Sequence, residues 1–168
     1  PAAGHAVTFL MSATGLADAV RGGPIRSQAD DVLELLAGPE RCMAVLVTLP
    51  ETTPVNETIE TAYALEEDVG IRLGPIVVNG VDQGTDLPAP DDVDAALQAA
   101  ELNDAVIDVL RDAATFRRSR RLMEREALDR LAVGLPLGQV QMRALPVAGL
   151  DADDIDALAD ELIAESGS

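Results

Sequence analysis

Two polar residues stand where apolar segments of this chain end, and their side chains could bind a ligand. Asn79 follows the apolar run Pro75–Val78, and Glu51 follows the run Met43–Leu49. An asparagine amide offers both a donor and an acceptor, as recognition of a purine edge requires. The same residue is equally typical of a left-handed turn before a glycine, here Gly80. Glu51 could accept hydrogen bonds from a ribose or a partner group, or it could cap the following helix.

A second candidate is Gly4-His5, which could form a mobile loop beside a phosphate. His5 is the one histidine, and no serine or cysteine nucleophile lies at a recognisable motif spacing, which argues against a hydrolase triad. One cysteine, Cys42, and no Cys-x-x-Cys pair leave only carboxylates as metal ligands, so we expect no metal site. Cys42 cannot form an internal disulfide and is typical of a small buried residue in a reducing compartment.

The composition excludes several kinds of site. The formal net charge of −18 argues against a nucleic-acid-binding surface. All 12 basic residues are arginines, so the chain has neither a Schiff-base lysine nor the lysine of a phosphate-binding P-loop. No apolar run approaches the roughly 18 residues of a membrane span, and no secretory signal is recognisable. We therefore expect a cytoplasmic protein with an aliphatic core, because aromatic residues amount to only 2%.

The segment Met43–Asn79 is predicted to position the candidate side chains. Met43–Leu49 is apolar throughout, which fits a strand buried on both faces. A helix follows, with capping hydroxyls and a proline at Thr52–Pro54 and a stop at Gly70. With a second strand at Pro75–Val78, the segment is predicted to form a βαβ unit with parallel strands. Ligands of such sheets lie beyond the carboxyl ends of the strands.

The rest of the chain is predicted to add helices and one more strand. The predicted elements are a short helix or apolar segment over Val7–Met11, a helix over Gln28–Ala37, a linker over Asp82–Pro90, two helical stretches over Asp91–Asp112 and Ala114–Val133, a strand over Val140–Leu145 and a helix from Asp151. Half of the arginines lie on the second helical stretch. A solvated face that pairs with Glu124, Glu126 and Asp129 is the simplest interpretation, and a nucleotide or partner contact is the alternative.

Three stretches of the chain follow a known pattern. LVTLPETTPVNET is followed at a fairly specific spacing by GPIVVNG, and the chain opens with PAAGHAVTFL. Together they resemble the arsenical pump-driving ATPase (ArsA) family, which includes the ATPases that target tail-anchored membrane proteins. The opening stretch is similar to the family's switch II segment, Asp-Thr-Ala-Pro-Thr-Gly-His-Thr, beginning just after its aspartate. Gly23–Arg26 and Met142–Val147 are also similar to bacterial members.

The resemblance implies an α/β fold like that of P-loop NTPases, with a mostly parallel sheet flanked by helices and a helical insertion at residues 91–133. By position, Asn79 would read the adenine of ATP and Glu51 would lie near the nucleotide or the subunit interface. Pro146 and Val147 would line the base pocket.

The resemblance also implies a switch and a cargo. Gly4 and His5 would sense the γ-phosphate, and Mg²⁺ would accompany ATP. Members of the family are dimers that couple hydrolysis to movement of a helical, often hydrophobic, cargo-binding region. Here that region would be Asp91–Val133 or Val7–Val20.

The chain departs from the family pattern in ways that affect catalysis. The P-loop and the switch I residues would precede Pro1, as would the switch II aspartate, so we expect no catalytic residue and no ATP hydrolysis in this chain alone. The family's metal-binding cysteines are unmatched. We predict that residues 1–168 are the C-terminal part of an anion-transporting or targeting ATPase domain, cut from a larger polypeptide and working as a homodimer or heterodimer. The alternative is a non-catalytic interaction module that pairs with a P-loop-containing ATPase subunit.

Overall fold

The computed structural model describes residues 3–166, which form six α-helices and five β-strands. In chain order these are α1 (Ala3–Ala19), α2 (Pro24–Ala37), β1 (Met43–Ala44), β2 (Val47–Thr48), α3 (Thr52–Ala64), β3 (Arg72–Leu73), β4 (Ile76–Val81), α4 (Pro90–Ala99), α5 (Asp104–Gly134), β5 (Gln139–Arg143) and α6 (Ala152–Ser166). A π-helical turn, Leu65–Val69, extends α3, and Gly70 ends it in a left-handed conformation at φ 72°. Within residues 3–166, no helix combines the length and the hydropathy that crossing a membrane requires.

All strand pairs among the described residues are parallel, as expected from the βαβ pattern. β4 lies between β2 and β5 in a three-stranded sheet, and β1 pairs with β3 separately. The first three residues of β4, Ile76–Val78, are all buried, as is typical of a strand with neighbours on both sides and helices over its faces. The chain is therefore an α/β fold with parallel strands flanked by helices.

The main core is aliphatic, as the composition predicts. It lies between the sheet and the helices α3 and α5, where the side chains of Val55, Ile76, Val78 and Leu131 are almost fully enclosed. One polar contact joins the two helices at the rim of this core. The Tyr63 hydroxyl of α3 donates to the carbonyl oxygen of Gly134, the last residue of α5, over 3.1 Å.

The segment Met43–Leu49 is not buried on both faces, so that prediction is wrong. Met43, Val45 and Val47 are about half-exposed or more, with Val47 reaching 66%, whereas Ala44 and Leu46 pack against the core. The segment forms two short strands with alternating burial, because the described helices and strands cover one of its faces and leave the other open to solvent. An apolar run alone could not distinguish the two arrangements.

Several helix ends also differ from the sequence prediction. α2 begins at Pro24 rather than Gln28, following Gly23, which adopts φ 94°. The cap position of α3 is Glu51 rather than a threonine. The break between the two predicted helical stretches, expected after Asp112, lies after α4 instead, where Glu101 has φ 50°. The Asn103 side chain then caps the start of α5 by accepting from the backbone N–H of Val106 over 3.0 Å.

We expect Leu131→Ala to lower the free energy of unfolding by about 2–5 kcal/mol, because the Leu131 side chain is fully enclosed and its loss leaves a cavity. Chemical denaturation followed by circular dichroism measures the change. Val133→Ala on the same helix is the matched control, since Val133 is 88% exposed and should change the value by no more than about 0.5 kcal/mol. Equal losses in the two variants would contradict the packing described here.

Candidate functional site

The parallel strands β2, β4 and β5 place their carboxyl ends at one edge of the sheet, and a cavity of about 350 Å³ opens there. Glu51 and Asn79, which the sequence singled out, both line it. The complete lining is Leu49, Pro50, Glu51, Asn79, Gly80, Arg120, Arg143, Ala144, Leu145, Leu150 and Leu158. Apolar walls with a few convergent polar groups are typical of small-molecule sites.

Asn79 occupies a strand position, not a left-handed turn. It pairs in register with Met142 of β5, and its side chain is exposed where it borders the cavity. The left-handed conformation lies one residue later, at Gly80 with φ 81°, where the ladder between β4 and β5 is irregular. The residue in the left-handed conformation is therefore Gly80 rather than Asn79, and the Asn79 side chain borders the cavity.

Glu51 stands at the cap position of α3, but its side chain makes no capping hydrogen bond. Its carboxylate instead faces Arg120 of α5, with 3.6 Å between Oε1 and Nη2. The backbone carbonyl of Glu51 still begins the helix by accepting from the N–H of Val55. The capping alternative thus fails for the side chain, which is directed toward the edge of the sheet.

Arg120 also pairs with a buried carboxylate, Glu124, one turn further along α5. Arg120 Nε donates to Glu124 Oε1 over 3.1 Å, and Glu124 Oε2 accepts from the backbone N–H of Asp82 over 3.3 Å. Only 4% of Glu124 is exposed. A carboxylate so placed requires such partners, because its desolvation is otherwise uncompensated. A smaller cavity of about 210 Å³, lined also by Met123, borders the same group.

Several other arginines of α5 hold the segment that follows β4. Arg117 donates through two nitrogens to the Asp82 carboxylate, over 2.7 and 2.9 Å. Arg121 approaches Asp86 at 2.7 Å, and Arg118 donates to the carbonyl oxygen of Pro88. The expected pairing is confirmed for Glu124, while Glu126 and Asp129 make no ion pair among the described residues. The main ion-pair partners of these arginines are instead Asp82 and Asp86 of the linker, which the sequence did not suggest.

The pKa of Asp82 falls to about 2, chiefly because Arg117 donates hydrogen bonds to its carboxylate. The backbone N–H of Gly84 and the charges of Arg117 and Arg121 lower it further, while partial burial opposes them. The same contact raises the pKa of Arg117. Asp82 is therefore ionised across the physiological range and serves to fix the linker on α5.

Gly4 and His5 lie in the first turn of α1, so the segment is helical where a loop was expected. His5 is exposed, and it is not part of the cavity lining. The first two residues of the PAAGH motif lie outside the described residues. α1 packs against α2, α3 and the π-helical turn that extends α3.

Pro146 and Val147 follow β5 just beyond the cavity lining, which ends with Ala144 and Leu145 in that part of the chain. Both are exposed. Arg143, which ends β5, does line the cavity and pairs with Glu161 of α6 at 3.5 Å. The alternation of Gln141 and Arg143 indicated a solvent-exposed face of the strand, but the pattern did not indicate that Arg143 would line a cavity.

The described residues contain no cluster of three histidine, cysteine or acidic side chains arranged to hold a metal ion.

A separate apolar cavity of about 430 Å³ lies between α1 and α2. Phe9, Leu16 and Val32 line it and remain substantially exposed, with Phe9 at 76%. This cavity lies apart from the one at the strand ends, and charged side chains are absent from its lining.

Two mycobacterial relatives show what the chain is similar to. It is 33% identical over 79 residues to a Mycobacterium tuberculosis protein named ATPase BagA and, to the same extent, to a Mycobacterium bovis protein provisionally named an ATPase. The aligned region covers 47% of this chain and spans only 23% of the length of each relative. No protein-family model matches the chain.

We expect the Asp82–Arg117 pair to stabilise the fold above about pH 4 and to lose its effect as the pH falls toward 2, because the folded-state pKa of Asp82 lies below its unfolded value. The free energies of unfolding of the wild type and of Asp82→Asn should therefore differ more at pH 6 than at pH 2.5, as measured by urea denaturation.

Asp156→Asn is the control for that measurement, since Asp156 is an exposed acid of α6 without an ion pair among the described residues. An Asp82→Asn difference that is the same at both pH values would contradict the assignment of the low pKa to this pair.

Proposed function

We propose that the carboxyl edge of β2, β4 and β5 binds the adenosine part of ATP and that the chain is part of an ArsA-type ATPase. The observation that carries the proposal is the Asn79 amide, held in a strand beside a cavity at the common carboxyl edge. An amide in that position can donate to and accept from an adenine edge at the same time. The ATPase names of the mycobacterial relatives support the same class of ligand.

Each neighbour of Asn79 has a part in this proposal. The Glu51 carboxylate accepts from ribose hydroxyls, and Pro146 with Val147 extends the wall of the base pocket beyond Leu145. Two guanidinium groups, Arg120 and Arg143, also line the cavity. Their ion pairs neutralise nearby carboxylates, which would otherwise repel an anionic nucleotide.

Phosphoryl transfer in the proposed ATPase is assigned to groups outside this chain. It depends on cationic and metal-bound groups around the phosphates, and this chain has no lysine with which to build a P-loop. Mg²⁺ ligands are accordingly proposed to come from the remainder of the natural protein. The turn of α1 that holds Gly4 and His5 is proposed to respond to the γ-phosphate. In this proposal, the chain alone does not hydrolyse ATP.

Coupling of the nucleotide to a cargo completes the proposal. ATP hydrolysis would switch a homodimer or heterodimer and thereby open or close a site for a hydrophobic protein or a transported anion. The apolar cavity between α1 and α2 supports a hydrophobic cargo, because exposed side chains such as Phe9 and Leu16 favour contact with another apolar surface. The helices α4 and α5, within residues 91–133, are the other candidate region.

A second candidate is an interaction module that pairs with a separate ATPase subunit. The complete absence of lysine favours it over self-contained catalysis. Titration of the chain with ATP separates the two candidates. Nucleotide binding at this edge supports the ATPase part, and a stable folded chain that binds a partner subunit but no ATP supports the module.

We expect Asn79→Ala in the full natural protein to weaken ATP binding by about 1–3 kcal/mol, because a polar group of the bound base loses its partner. Isothermal titration calorimetry measures the change. Gln98→Ala is the matched control, since Gln98 is an exposed amide on α4 outside the cavity lining, and it should leave the affinity unchanged. Unchanged ATP affinity in Asn79→Ala would refute the adenine assignment.

A further inference from the structure

Arg120 connects the ends of two strands through a chain of contacts that no sequence motif marks. Its Nη2 lies 3.6 Å from Glu51, just after β2, and its Nε lies 3.1 Å from Glu124 on its own helix. Glu124 in turn accepts from the backbone N–H of Asp82, the residue that follows β4. The contacts therefore link the carboxylate that follows β2 at the cavity to the backbone that follows β4.

The inner end of this chain of contacts is fixed. Glu124 is buried, and both of its carboxylate oxygens are engaged, one by Arg120 and one by the backbone of Asp82. Arg117 holds the side chain of Asp82 through two further hydrogen bonds. The Arg120 guanidinium is thus anchored to the folded core at Nε, and its Nη2 extends to the cavity.

The outer end is not otherwise fixed. The Glu51 side chain is 53% exposed, and within residues 3–166 Arg120 provides its one ion pair. Although Glu51 occupies the cap position of α3, its carboxylate does not accept from the helix backbone. Without Arg120, the carboxylate would be free to leave the cavity for solvent.

We propose that Arg120 is a positioning residue, which holds the Glu51 carboxylate at the cavity so that it can accept from the ribose hydroxyls of a bound nucleotide. This inference rests on the proposed nucleotide site and adds a residue on α5 to it. The arginine fork is essential, because two different nitrogens meet two carboxylates. A lysine has one ammonium and would pair with the buried Glu124, since an unpaired buried carboxylate is the costlier alternative.

Direct contact of Arg120 with a nucleotide phosphate is the competing arrangement. Two carboxylates already flank the guanidinium, which leaves little uncompensated positive charge for an anion. The two arrangements respond differently to loss of the ribose hydroxyls. A positioning role through Glu51 depends on those hydroxyls, whereas a phosphate contact does not.

The test is isothermal titration of the full natural protein with ATP and with 2′,3′-dideoxy-ATP. The wild type should prefer ATP by about tenfold, the size of effect expected of hydrogen bonds to a charged acceptor. Arg120→Lys, Glu51→Gln and the double variant should all lower this preference to within about twofold. The effects of the two substitutions should therefore not add, because they remove the same contact. Arg125→Lys, an exposed arginine of the same helix, should retain the full preference.

Each outcome decides one question. Failure of the wild type to bind ATP refutes the proposed function itself. ATP binding without a ribose preference, or a preference that survives in Arg120→Lys, refutes the positioning role alone. An equal loss for both nucleotides in Arg120→Lys indicates the phosphate contact and likewise refutes it. Lysine keeps the positive charge beside Glu124, and thermal unfolding of each variant verifies that the fold is intact.

Discussion

The parallel pairing of β4 with a strand on each side is the constraint on which the rest of the structure depends. Because β2 and β5 both run in the direction of β4, all three strands end at the same edge. The enclosed side chains Ile76 and Val78 hold β4 between the helices, so the polar residue that follows them, Asn79, must emerge at that edge. The position of the candidate site is thus a consequence of strand direction and burial.

Charge is distributed unevenly around this framework. The chain is strongly acidic overall, yet six of its 12 arginines lie within a short part of α5. Four of these six form ion pairs with specific acids, among them Arg117 with Asp82, and Arg120 with Glu51 and Glu124. Exposed ion pairs contribute little individually, but pairs that share a buried carboxylate also fix geometry. At this edge the arginines determine where the backbone after β4 lies.

Sequence alone predicted the βαβ unit, the parallel direction of its strands and the presence of Asn79 and Glu51 at one edge. These features follow from apolar runs and turn residues that are close together in the chain. It could not predict that Val47 would be exposed, since an apolar run gives no sign of whether a face is covered. It also missed the ion pairs of Arg120 at this edge. The contact between Arg120 and Glu51 joins residues 69 positions apart in the chain, and only the packing of α5 against α3 brings them together.

The hydrogen bond between Tyr63 and the last carbonyl of α5 has a practical consequence. Tyr63 is the one tyrosine of the chain, and tryptophan is absent. The intrinsic fluorescence of these 168 residues therefore comes from a single ring at the junction of α3 and α5, without background from other strongly emitting side chains among them. Any separation of these two helices, whether caused by ligand, partner or temperature, changes the surroundings of that phenol. Within the 168 residues of this chain, the fluorescence of Tyr63 therefore reports on the helix pair that borders the candidate site.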